Sequence, residues 1–209
     1  MRTIIRSFGE LCITAGLILL LFVAYELWGT GRYTAGQQNR LSQELNRDWQ
    51  NDKVTTERVR LGRGMALIRI PRLGENYRFV IIEGVSVADL RKGPGHYPGS
   101  ALPGHIGNFV VSGHRTTYQA PFNRLDRLRD GDTILIDTRT KQYVYRVTGQ
   151  RIVMPTDVEV TAPVPFHPKQ RPSQRLITLT TCHPKYSAAR RLIVFGRLVD
   201  ALPRVKDDG

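Results

Sequence analysis

Cysteine is nearly absent from this 209-residue chain: there are two, and Cys12 lies inside an apolar N-terminal run. The rest of the chain holds a single thiol, Cys182. No disulfide can form within that part, so an oxidising compartment is permitted but not required. Lysine is scarce, with only six among 31 basic residues, and against 18 acidic residues the formal net charge is +13. That balance suits contact with anionic lipid or anionic wall polymer. A nucleic-acid partner is not expected, because there is neither zinc-finger spacing nor a dense basic helix. The charge is spread along the chain, as on an ordinary solvated basic surface. No Cys-x-x-Cys pair or His-Glu-x-x-His stretch is present to hold zinc. No glycine loop joins a strand to a helix as a phosphate cradle would; Gly93-Pro94-Gly95 follows a candidate helical turn instead. Neither a metal nor an organic cofactor is expected. There is no internal repeat and no low-complexity tract. Apolar side chains are present in ordinary measure, at 41%, enough for a packed core, and the length fits one domain plus a membrane segment.

Only one long apolar run occurs, Leu11–Trp28, extended backward by Ile4, Ile5 and Phe8. A helix of about 20 residues crosses the hydrocarbon core. Glu26, the one charge in the run, would sit near an interface, where a carboxylate costs little, and Tyr25 and Trp28 suit the same level. The run exceeds a signal peptide's apolar core and no clean Ala-x-Ala site follows, so an uncleaved anchor over residues 1–28 is expected. Counting Arg2 and Arg6 before it against Arg32, Arg40 and Arg47 after it does not decide its orientation. Residues 29–62 are polar and read as a stalk or linker. Within them Leu41, Leu45 and Trp49 recur at four-residue spacing, the mark of a short amphipathic helix.

From Met65 onward the pattern is of strands. Met65–Ile70, Tyr77–Ile82, Asn108–Ser112, Thr133–Asp137, Gln142–Thr148, Arg175–Thr181 and Leu192–Val199 are rich in Val, Ile, Tyr and Phe. Pro71, Gly74, Pro103-Gly104, Asp130-Gly131-Asp132 and Gly149 punctuate them. Many short strands with turn signals predict an all-β barrel or sandwich. Ser86–Arg91 and Phe122–Leu128 fit one or two helical turns each. A domain over 63–202 and a tail over 203–209 complete the layout.

Cys182 ends a strand-like run, and its thiolate would be a nucleophile toward carbonyls; a buried structural cysteine is the alternative. His114 follows another strand-like run. If the two strand ends converge, the imidazole can pair with the thiol and later protonate a leaving amine. Arg191, nine positions after Cys182, could supply a fixed donor to a tetrahedral intermediate or to a substrate backbone, with Arg190 an equal candidate on composition. His183 would point to the opposite face from Cys182, and His96, His105 and His167 lie in loops rich in glycine or proline. The carboxylates Asp126, Asp130 and Asp132 read as turn chemistry rather than a calcium site.

Thr178-Leu179-Thr180-Thr181-Cys182 resembles the Thr-Leu-x-Thr-Cys signature of sortases. The following His-Pro-Lys-Tyr-Ser with Arg191 is similar to the Cys-to-Arg segment of the actinobacterial class E group. Gly113-His114-Arg115-Thr116-Thr117-Tyr118 and Gly93-Pro94-Gly95-His96-Tyr97-Pro98 match that group's histidine region and the stretch before it. The resemblance spans about Met65 to Val199. It implies an eight-stranded sortase-type β-barrel with short helices behind an N-terminal transmembrane helix. It implies a membrane-anchored cysteine transpeptidase of a Gram-positive cell surface, N-terminus cytoplasmic and catalytic domain extracellular. Its partners would be secreted proteins bearing a Leu-Ala-x-Thr-Gly or Leu-Pro-x-Thr-Gly sorting signal, and a peptidoglycan cross-bridge amine carried on lipid II. Carried over by residue, Cys182 is the nucleophile, His114 the acid and base, and Arg191 the substrate or oxyanion stabiliser. Thr181, Tyr97 and Tyr118 become candidate substrate-binding residues. No Asp-Pro-aromatic lid motif is evident, which favours a housekeeping role. A thiol hydrolase using the same Cys-His pair, or a non-enzymatic module binding wall polymer, would share many of these features.

Overall fold

A computed structural model describes residues 2–25, 29–50 and 60–204. Glu26 and Trp28 of the apolar run, part of the 29–62 segment and most of the 203–209 tail lie outside those residues. The apolar run forms helix α1, Arg2–Ala24. Its stretch Ile5–Ala24 is 20 residues long and apolar enough to cross a membrane. Its large side chains, from Ile5 to Val23, are exposed rather than packed against protein, as a lipid-facing helix requires.

The expected amphipathic helix is present and longer than its apolar spacing suggests. Helix α2 runs Thr30–Gln50 and buries Thr30, Thr34, Leu41, Leu45 and Trp49. The three apolar residues pack against Leu67, Val80 and Ile82, so α2 is docked on the barrel wall. Burying such side chains stabilises by about 1.5–3 kcal/mol each.

Eight strands follow: β1 Gly64–Arg69, β2 Arg78–Glu83, β3 Gly95–His96, β4 Gly107–Ser112, β5 Thr133–Asp137, β6 Lys141–Val153, β7 Arg175–His183 and β8 Arg190–Pro203. They close into a barrel in the order β1-β2-β3-β4-β7-β8-β6-β5. Closure removes the exposed edges that an open sheet would leave. Helix α3, Val87–Leu90, is a single turn held by a capping box between Ser86 and Asp89. Leu125–Arg127 forms a second short turn.

The interior is filled by Met65, Ile68, Ile81, Phe109, Val111, Ile136, Tyr145, Ile177, Leu179 and Val194, among others. Tyr145 is fully buried, and its hydroxyl accepts the Gly104 N–H at 2.8 Å. Gly104 has φ +77°, and a Cβ there would fall 2.0 Å from the Tyr143 ring. Only glycine fits that approach.

Two pairings position the site. β4 and β7 are parallel, with Ser112 opposite Thr180. Parallel neighbours need a crossover, supplied here by β5, β6 and the loop after β6, and both strands end at one rim. β8 then returns antiparallel to β7, with Cys182 opposite Arg191 and His183 opposite Arg190.

Candidate active site

The rim where β4 and β7 end is built from backbone outward. Past Ser112, the Gly113 N–H donates to the Thr180 carbonyl at 3.1 Å. The Thr181 hydroxyl donates to the Gly113 carbonyl at 2.8 Å. A Cβ on Gly113 would meet the Phe122 ring at 2.7 Å, so the glycine lets the chain pass close over Phe122. These bonds carry His114 to the same rim as Cys182. Both line a cavity of about 400 Å³ with Arg115, Thr116, Thr117, Tyr186, Ser187 and Ala188.

His114 Nε2 is buried and has no hydrogen-bond partner among the described residues. A buried polar atom left open in this way is available to a ligand or a proton. The ring lies 4.9 Å from that of Tyr118, and the Arg91 guanidinium is 5.9 Å from the Tyr118 ring. Burial holds the His114 imidazole below its ordinary value, and the positive charge of Arg91 lowers it further. The resting ring is therefore neutral at neutral pH.

The unfolded imidazole takes up its proton near 6.5, while the folded one resists it. The associated stability is present above 6.5 and is lost as pH falls from there through the folded value. Arg91→Gln removes only the smaller cause, so the His114 midpoint in an NMR titration is expected to rise part of the way toward 6.5. An unchanged midpoint would assign the whole effect to burial.

Beneath the rim lies Arg115, 3% exposed. Its Nη1 donates to the Cys182 carbonyl at 3.2 Å and lies 3.3 Å from His183 Nδ1, while Nη2 pairs with Asp126 at 3.3 Å. Arg115 thus ties the β7 end to the loop after β4. Cross-strand partners share a face of a sheet, so the register sets Arg191 on the Cys182 face and Arg190 on the His183 face. Arg191 Nη1 donates to the carbonyls of Ala188 at 2.8 Å and Arg190 at 3.0 Å. It is thereby held against the loop that lines the cavity.

The remaining residues sort differently. Thr181 is buried, with its hydroxyl turned to Gly113 and away from the cavity lining. Tyr97 is not brought to the Cys182 cavity; it lines another, of about 450 Å³, with Pro98, Ile106, Asn108 and Pro163. His96 is consumed by structure: Nδ1 lies 2.6 Å from Glu83, Nε2 lies 2.8 Å from the Ser100 hydroxyl, and the ring stacks on Phe109. His105 and His167 are exposed. Asp132 accepts the Arg129 N–H in a turn, and no group of three potential metal ligands exists among the described residues. Arg91, Arg115 and the Tyr186–Ala188 loop are parts of the site that residue spacing alone does not single out.

Residues 68–199 match a family model described as a sortase domain. Sortase SrtE1 of Streptomyces coelicolor is 37% identical over 96% of this chain, which spans 59% of that protein's length. A sortase E1 structure from the same species, with a tripeptide in its active site, superposes with TM-score 0.64 at 37% identity, covering 71% of this chain and 95% of that one. The SrtF sortase of Corynebacterium diphtheriae superposes with TM-score 0.68 at 34% identity, over 72% of this chain and 92% of that one.

Proposed function

The chain belongs to the sortase family, and from that premise we propose that it cleaves a Leu-Ala-x-Thr-Gly or Leu-Pro-x-Thr-Gly sorting signal between Thr and Gly and joins the acyl part to a peptidoglycan cross-bridge amine. Residues 1–28 serve as anchor, with the N-terminus cytoplasmic, and 63–202 as the extracellular catalytic domain, with α2 docked on it. Cys182, His114 and Arg191 carry the chemistry. The observation that supports this most is register: the rim that ends β4 and β7 also begins β8, and the Cys182 cavity is lined by His114.

Neutral His114 accepts the thiol proton as Cys182 Sγ attacks the threonine carbonyl. The Arg191 guanidinium donates to the oxygen that gains charge, or to the substrate backbone beside it, and is worth most in the transition state. As the tetrahedral intermediate collapses, the C–N bond breaks and the glycine amine leaves with the proton from His114. A thioester remains on Cys182. The cross-bridge amine then attacks, His114 takes its proton, and the thiol is restored. Water in place of the amine gives slow hydrolysis. Tyr118, its ring tilted against that of His114, flanks the substrate path. Thr181 acts by holding the Gly113–His114 backbone, and Tyr97 belongs to more remote substrate contacts.

The test uses the full chain in detergent with two quenched peptides, one Leu-Ala-x-Thr-Gly and one Leu-Pro-x-Thr-Gly, with and without triglycine. Mass spectrometry is expected to find triglycine-ligated product, and the faster peptide sets the preference. Acid product alone, undiverted by triglycine, would make this a thiol hydrolase. Cleavage of neither peptide would favour a binding module.

A further inference from the structure

Helix α2 connects the anchor to the catalytic rim. In its C-terminal half, Leu41, Leu45 and Trp49 are fixed against the barrel wall. Midway, the Gln38 carboxamide donates to the Lys92 carbonyl at 2.8 Å and the Val80 carbonyl at 3.1 Å, and accepts the Val80 N–H at 2.7 Å. Nearer its start, the buried Thr34 hydroxyl donates to the Arg91 carbonyl at 2.8 Å. At its first residue, Thr30 Oγ1 accepts the Tyr118 N–H at 3.5 Å, and the Tyr118 ring lies 4.9 Å from that of His114. The direction of α2 is thus set in the frame of the barrel, with its N-terminus at the active-site loop. Trp49 lies about 28 Å farther along the axis. At that end the Arg204 guanidinium sits 4.2 Å from the Trp49 ring, and the Arg204 N–H donates to the carbonyl of Thr140 in the β5–β6 turn.

The tether before α2 is short. The apolar span Ile5–Ala24 is about 30 Å long, the thickness of the hydrocarbon core, which puts Ala24 at an interface. Residues 25–29 separate it from Thr30, and a chain of that length reaches at most about 21 Å. We propose that the His114–Cys182 rim is held facing the bilayer surface, with the β5–β6 turn pointing away, so that the site meets an acceptor amine carried on lipid. This rests on α1 being a membrane anchor. The rim's charge fits an anionic headgroup layer. Arg32, Arg91, Lys185 and Arg190 are exposed. Of the nearby carboxylates, Asp126 is paired with Arg115 and Asp89 is taken by the Ser86 cap.

The full chain tests this in vesicles of phosphatidylcholine and phosphatidylglycerol carrying a headgroup-linked acceptor dye. In a Cys12→Ser, Cys182→Ala background, a donor dye is placed at Gln119→Cys or Thr140→Cys, both exposed positions. Energy transfer is expected to be greater from Gln119. A 12-residue Gly/Ser insertion after Trp28 lengthens the tether from 5 to 17 residues and should lower that transfer. In the otherwise unaltered chain, the insertion should slow ligation to a phospholipid-linked triglycine about sixfold, since effective concentration falls roughly as the −3/2 power of tether length. Ligation to free triglycine should not change. Equal transfer from both positions in a chain that floats with the vesicles overturns the inference, as does an insertion that leaves the lipid-linked reaction untouched. A chain that does not float removes the anchor and the inference with it. Ligation to neither amine sinks the proposed chemistry, while the dye measurement still decides the orientation.

Discussion

Cys182→Ala is expected to abolish both peptide cleavage and amine ligation, lowering kcat/KM by at least about a thousandfold, with the melting temperature close to that of the unaltered protein. Cys182 is only half-buried, and the bond at that residue that ties the rim together runs through its carbonyl to Arg115, which alanine keeps. The pairing of Cys182 with Arg191 is a backbone ladder and survives as well. In the proposed mechanism the intermediate is a thioester on Cys182 Sγ. Without Sγ there is no covalent intermediate, and an activated water has no reason to replace it at a comparable rate. Intact-mass measurement after mixing with sorting peptide should find an acyl adduct on the unaltered protein and none on the variant. Cys12→Ala, a change within the apolar helix, should be silent. A Cys182→Ala protein that still ligates would remove the thiol from the mechanism.

The strands were readable wherever apolar and β-branched residues cluster, and seven of the runs named from sequence fall on strands. β3 escaped because two residues, Gly95 and His96, carry no periodicity. β6 extends past the expected stop at Gly149 because that glycine marks a register shift inside the strand, where a turn would also place one. In α2 the apolar spacing was visible at Leu41, Leu45 and Trp49. Its reach back to Thr30 was not, because Thr34 and Gln38 are fastened to the barrel by hydrogen bonds to backbone tens of residues away. A pattern of strands predicts a barrel or a sandwich without distinguishing them; closure depends on β1 pairing with β5, a long-range fact.

The candidate site was legible in its residue types and opaque in its geometry. Cys182 stood out by scarcity and His114 by its place after a strand. Their approach depends on parallel pairing between segments about 70 positions apart, which no local signal encodes. The family resemblance proposed Thr181 and Tyr97 as equals of Tyr118. Packing separates the three, turning the Thr181 hydroxyl onto Gly113, Tyr97 into a different cavity and Tyr118 onto His114. Arg115 shows the converse, since nothing in an exposed-looking arginine announces that its guanidinium is buried under the rim.

Arg191→Ala is expected to lower kcat/KM about 100- to 1,000-fold, the range for losing one donor to a developing oxyanion. Arg190→Ala should stay within about twofold, as surface changes away from special features do. Composition treats the two as equivalent, but adjacent residues on a strand face opposite ways. Arg191 pairs across the ladder with Cys182 and Arg190 with His183. Arg190 is also the more exposed of the two, and an exposed guanidinium in water stabilises developing charge weakly. Arg191→Lys should recover only part of the loss, because an ammonium keeps the charge but not the planar fork of donors. Kinetics divide the two roles open to Arg191. A fall confined to kcat would place its donor on the transition-state oxygen, and a rise confined to KM would place it on the substrate backbone. If Arg190→Ala proved the damaging change, the β7–β8 register in solution would have to differ by one residue, bringing the other face of β8 to the thiol.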